Sequence, residues 1–111
     1  MINLEKIQKW ASKGNAKKLI KALKTSDSSI ITSVLEALSN VGGEDAVNAI
    51  TPLTESPDKA IRGTAMKALG KCGTTASETL LKYYLNKETD QDMIGVIKEA
   101  IKIFEDNHKA Q

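Results

Sequence analysis

Asp58-Lys-Ala-Ile-Arg-Gly-Thr-Ala-Met-Lys-Ala-Leu-Gly-Lys-Cys-Gly73 decides how the rest of the chain is read. Its apolar residues Ile61, Ala65, Met66, Ala68, Leu69 and Cys72 recur in steps of three and four. That spacing draws one apolar stripe along a helix. Asp58 follows Pro57 and holds the N-cap position, where its carboxylate can accept the free N–H groups of the first turn. Gly73 stands where a left-handed C-cap is expected. A near copy runs upstream from Asp27 to Gly42, and a looser one downstream from Asp90 to Phe104.

The three aspartates stand 31 and 32 residues apart. At the first offset Ile30 pairs with Ile61, Val34 with Ala65, Leu35 with Met66, Leu38 with Leu69 and Val41 with Cys72. At the second, Ile61 pairs with Met93, Ala65 with Ile97, Leu69 with Ile101 and Cys72 with Phe104. The helices that follow also align, with Leu19, Ile20 and Leu23 matching Ala49, Ile50 and Leu53. A lone helix pair cannot cover its own apolar face, whereas stacked pairs cover each other's. Thr32, Gly63 and Gly95 fall at equivalent positions, and their small size predicts close approach of neighbouring first helices.

Taken in order, the spacing predicts seven helices and no strand. Asn3 caps the first, with Leu4, Ile7, Trp10 and Ala11 apolar, and Asn15 caps the second. Asp27 or Ser28 opens the third, which Gly42-Gly43 stops; Glu44 and Asp45 open the fourth, where negative charge suits the helix dipole. Pro52 lies within the fourth and is expected to bend it. Asp58 opens the fifth, Thr74 or Thr75 the sixth, and Asp90 the seventh, which uses Met93, Ile94, Ile97, Ala100, Ile101 and Phe104. The polar tail from Asp106 to Gln111 is expected to fray.

The motif Asp-x-x-Ile-Arg-x-x-Ala-x-x-Ala-Leu-Gly at Asp58 to Gly70 resembles the first helix of a HEAT repeat, and the short period is most like the compact HEAT-like repeats of the phycobilisome-lyase type. The resemblance covers nearly the whole chain, though only one repeat carries the full signature. It implies an all-α, right-handed α-α superhelix: a short solenoid of about three and a half helix pairs. The repeats would be about 3–26, 27–57 and 58–89, with a C-terminal capping helix at 90–106. Ile31 and Ile94 stand where the family has Arg, so an aspartate–arginine ladder between layers can be only partial.

Chemistry-bearing residues are sparse. The only histidine, His108, lies in the polar tail, which leaves no Ser-His-Asp or Cys-His set and no metal-ligand cluster. Gly42-Gly43-Glu44-Asp45 puts two acids where a phosphate would sit. Cys72 reads as a small buried residue of the fifth helix, and as the single cysteine it excludes an internal disulfide. Arg62, the only arginine, reads as a brace between repeats, able to reach Asp27 or Asp90. Trp10 reads as a cover over the open end of the core. No enzymatic activity, cofactor or metal is expected. With no signal peptide and no long apolar run, the expected setting is soluble and cytoplasmic, without a membrane partner.

In HEAT-like arrays the second helices line the concave face. Here their outward positions form the rows Lys21, Thr51, Lys82; Lys18, Asn48, Thr79; and Ala22, Pro52, Tyr83. Tyr84 takes the core slot, which leaves Tyr83 towards solvent. The expected partner-binding set is Lys17, Lys18, Lys21, Asn48, Thr51, Lys82 and Tyr83. Charge is segregated. Residues 1–24 carry seven lysines against Glu5, residues 25–58 carry six acids and no lysine or arginine, and the remainder is mixed. Such a division suits a steered protein contact or self-association. The first expectation is a non-enzymatic scaffold that binds a protein segment. The alternatives are nucleic-acid binding through the N-terminal lysines, which should fall steeply with salt, and a lyase-like accessory role.

Overall fold

The computed structural model describes residues 2–109; residues 110–111 of the polar tail lie outside the described part. Within it the chain forms seven α-helices and no strand. These are α1 (Leu4–Ser12), α2 (Ala16–Ala22), α3 (Ser28–Val41), α4 (Glu44–Ile50), α5 (Lys59–Cys72), α6 (Thr75–Lys87) and α7 (Gln91–Asn107). A short 3-10 helix, Thr51–Glu55, follows α4.

The starts follow the caps. Asn3 accepts the Lys6 N–H at 2.9 Å and Asn15 the Lys18 N–H at 3.2 Å. Asp27 accepts from Ser29 and Ile30, Asp58 from Ile61, and Asp90 from Asp92 and Met93. At α6 the Thr74 N–H donates to the buried hydroxyl of Ser77 at 3.0 Å. Each bond satisfies a donor that the helix itself leaves free.

The helices stack in two layers. α1 contacts α3, α3 contacts α5 and α5 contacts α7, while α2, α4 and α6 each lie against a helix of that row. The body measures 39 × 33 × 18 Å, and its thinnest dimension is about two helix diameters. One continuous core runs through it: Leu19, Val34, Leu35, Leu38, Leu69, Leu81 and Ile97 are fully buried, and Ile101 packs against them.

Adjacent units are also tied through their caps. The residue after each capping aspartate reaches the next aspartate along: Ser28 Oγ donates to Asp58 at 3.0 Å, and Lys59 Nζ pairs with Asp90 at 2.9 Å. At the other helix ends, Lys71 Nζ donates to the Asn40 carbonyl, and Asn107 donates to the Lys71 backbone carbonyl at 3.2 Å.

Several local expectations are corrected. Pro52 does not bend a continuous fourth helix. α4 ends at Ile50, and Pro52 lies in the first turn of the 3-10 helix, where its missing N–H leaves no bond unmade. Gly73 is extended (φ −76°, ψ 178°), not left-handed; the positive φ falls at Gly14, Gly42 and Gly43 instead. A Cβ on Gly73 would strike the Leu69 carbonyl and Ser77, so space is what glycine supplies there. Gly63 has ordinary van der Waals room beside Met93 and Val96, and Gly95 faces open space. The close approach of first helices is at Gly70, against the Ala100 backbone. Arg62 spans no layers: its Nη1 donates to the Ser56 carbonyl at 2.9 Å and holds the connection into its own helix. Where fraying was expected from Asp106, α7 runs on to Asn107 and His108 stacks on Phe104 at 3.9 Å.

Candidate functional site: the face of the second helices

The lysines of α2, with Lys24 just beyond it, form one ridge. Lys17, Lys18, Lys21 and Lys24 are all exposed and surround Ile20. Lys18 Nζ stands 6.0 Å above the Trp10 ring, which is itself packed against the core as expected. Ala22, expected to face outward, is 3 % exposed and belongs to the core. α2 is short, and Leu19 and Ala22 are its buried residues where it meets α3.

α4 and α6 do not pack closely, and a groove of about 570 Å³ opens between them. Asn48 and Thr51 of the expected set line it, together with Val47, Cys72, Ser77 and Leu80. The Thr51 hydroxyl is bonded to the Val47 carbonyl at 2.7 Å, which leaves the Asn48 amide and the Glu44 carboxylate as the free polar groups of that wall. Cys72 is half-buried at this groove, not enclosed as expected. The last turn of α5 passes beneath the gap that α4 and α6 leave. Burial pushes its thiol above the ordinary value.

The remaining members stand on the outer face of α6. Lys82 pairs with Glu78 at 3.4 Å. Tyr83 is 52 % exposed, with Lys87 Nζ 5.2 Å over its ring, while Tyr84 turns inward. Tyr84 OH meets the buried Thr54 hydroxyl at 3.0 Å and donates to Glu55 at 3.1 Å, which locks α6 to the 3-10 helix. Burial, first, and then the Glu55 carboxylate raise the Tyr84 pKa, with the Thr54 hydroxyl acting the other way. The sequence pattern missed Thr54 because a threonine after a proline carries no apolar signal. The repeat alignment could have found it, since Thr54 and Tyr84 stand one period apart.

The structure therefore groups Lys17, Lys18 and Lys21 on a ridge, and Asn48 and Thr51 in a groove. It keeps Lys82 and Tyr83 outside that groove. Among the described residues no group of three or more His, Cys, Asp or Glu side chains could hold a metal ion, and no helix is long and apolar enough to cross a membrane.

No curated protein and no solved structure matches the chain. A family model describing HEAT repeats matches residues 16–102, from the start of α2 to within α7. HEAT repeats are commonly scaffolds for protein interaction. With its stacked helices, shared core and capped thirty-residue period, the chain belongs to the HEAT-repeat family.

Proposed function

We propose that the protein is a non-enzymatic cytoplasmic scaffold that holds a segment of a protein partner across the face of α2, α4 and α6. On this reading it is one HEAT-like domain with repeats of about 3–26, 27–57 and 58–89 and a capping helix at 90–106. Together these wind as a right-handed superhelix of about three and a half pairs. The observation that carries it is the groove between α4 and α6. It has an apolar floor of Val47, Cys72 and Leu80, a free amide at Asn48, and the exposed Tyr83 on the neighbouring surface of α6. Apolar concavities with few polar groups suit an inserted side chain, and aromatic residues supply disproportionate contact energy.

The test is capture of partners by the immobilised protein, comparing wild type with Tyr83→Ala and with Lys18→Glu/Lys21→Glu. Capture of the same partner should weaken by about fivefold or more, an ordinary effect for a contact residue, while helicity and Tm stay unchanged. Undiminished capture by both variants overturns the reading.

A second reading has the lysine ridge as its own observation. A nucleic acid could lie along Lys17, Lys18, Lys21 and Lys24, with affinity falling steeply as salt rises. The exposed Glu44 and Asp45 on the adjoining helix weigh against a long polyanion. Labelled duplex unshifted at low salt rejects it. The lyase-like accessory reading would need Cys72 as a nucleophile, and burial holds that thiol in its less reactive form.

A further inference from the structure

All five ion pairs among the described residues lie at or beyond Lys59: Lys59 with Asp90 and Asp92, Lys67 with Glu99, Lys82 with Glu78, and Lys109 with Asp106. None uses a lysine from residues 1–24 or an acid from residues 25–58, the most strongly charged parts of the chain. Yet α2 touches α4. Lys17, Lys18 and Lys21 stand exposed on α2 and Lys24 just after it, with Glu44 and Asp45 exposed on α4. The two patches sit on neighbouring helices, and no ion pair joins them.

We propose that this surface joins two copies of the chain about a twofold axis lying between α2 and α4, so that the lysines of each copy meet the carboxylates of the other. A twofold contact requires one patch to be complementary to itself. A positive strip beside a negative strip meets that requirement, because the rotation sets each on its opposite. The charge pattern also selects among occupants. An extended polyanion that covers the lysines must run past Glu44 and Asp45. A short acidic peptide leaves those carboxylates unmatched. A second copy matches both strips.

No large apolar side chain of α2 or α4 is fully exposed, so the strength of the contact is mainly electrostatic. The dimer is therefore weak, in the range of small transient interfaces, and sensitive to salt. The groove between α4 and α6 and the ring of Tyr83 lie to one side of the axis. Lys18 and Lys21 serve both this contact and the proposed partner face, and Glu44 also borders the groove, so Tyr83→Ala, which lies outside this contact, is the variant that separates the two.

Sedimentation velocity of the full chain, at several hundred micromolar, tests it. Wild type should approach twice the 12.0 kDa monomer mass at low salt. Raising salt from about 20 to about 300 mM, where the screening length falls severalfold, should return it to monomer. Lys17→Glu/Lys18→Glu/Lys21→Glu and Glu44→Lys/Asp45→Lys should each be monomeric, because each gives the two strips the same predominant sign. An equimolar mixture of the two should recover the dimer mass. The neutral pair Glu44→Gln/Asp45→Asn, gentler on the α4 N-terminus, must also lose the dimer. Tyr83→Ala must keep it. A monomeric wild type at low salt, a dimer indifferent to salt or to these variants, or a mixture that stays monomeric overturns the proposal. So does stoichiometric binding of an acidic peptide or DNA duplex to a monomeric wild type.

Discussion

Gly70 of α5 lies directly against the backbone of Ala100 of α7: a Cβ on Gly70 would stand 3.0 Å from the Ala100 Cα and closer still to its carbonyl oxygen. Backbone cannot swing aside as a long side chain can. Gly70→Ala must therefore push α5 and α7 apart along their extensive contact. Overpacking of this kind costs about 1–3 kcal/mol, which outweighs the helix propensity that alanine gains. Gly95 supplies the control. It is also mid-helix, but nothing lies within 4 Å of its would-be Cβ. Gly95→Ala should stabilise by about 0.5–1 kcal/mol. Thermal melts should move in opposite directions for the two variants. A shift of the same sign in both would mean that α5 and α7 are not held this closely.

The aspartate caps predict how stability depends on pH. Asp27 is held below the ordinary 3.8 by the Ser29 hydroxyl and the Ile30 N–H. The Ile61 N–H and the Ser28 hydroxyl do the same for Asp58, and Lys59 and the Met93 N–H for Asp90. Each therefore binds its proton less readily folded than unfolded. Their stabilisation is complete above 3.8 and is lost as pH falls from there through the lowered folded values. Urea midpoints should stay level with respect to these groups from pH 7 to about 5, where free aspartate is already ionised, and fall below that. Asp58→Asn should start from a lower midpoint at pH 7 and lose less on acidification. A steeper loss in the variant would refute this account.

Thr54 tests how α6 is fastened. It is 1 % exposed, and its hydroxyl donates to the Thr51 carbonyl at 2.7 Å beside Tyr84 OH. Thr54→Val keeps the shape but removes the hydroxyl and leaves the Tyr84 OH with Glu55 alone. The expected cost is about 1–2 kcal/mol, that of a buried hydrogen bond with one partner stranded. Tyr84→Phe should cost less, because Thr54 keeps its carbonyl. The double variant should fall short of the sum, since both changes break the same contact. Strict additivity in denaturant melts would show that the two hydroxyls do not interact.

These sites also mark where the sequence was readable. The caps at Asn3, Asn15, Asp27, Asp58 and Asp90 were legible because a cap is local: the acceptor and its donors lie within three residues. The core at Leu38, Leu69 and Ile97 was legible because periodicity reports which face is covered. What escaped depended on distance between helices. Gly63, Gly70 and Gly95 are alike as letters, and only the packing of α5 on α7 separates them. Arg62 was assigned across layers by reach, but a carbonyl of its own connection lies nearer. Pro52 carries a helix-breaking signal that does not say whether the helix bends or tightens into a 3-10 turn. At the candidate face, the lysine ridge could be read from spacing on α2. The groove could not, because it exists only through the separation of α4 from α6.

Cys72 reports on that separation directly. It is the single thiol of the chain, half-buried at the floor of the groove, with its pKa raised above the ordinary 9.0 by burial. Thiolate is the reactive form, so native protein at pH 8 should react with a disulfide reagent about tenfold or more slowly than the urea-unfolded chain. The native rate should climb as pH passes 9, because ionisation still limits it. Leu80→Ala removes part of the groove wall while leaving the fully buried Leu81 in place, and should speed labelling without unfolding the chain. A segment seated in the groove should slow labelling further, and protection that tracks partner concentration would place the partner over α4 and α6. Fast labelling of the native protein at pH 8 would instead mean an exposed, activated thiol. It would remove the argument against a nucleophilic role for Cys72.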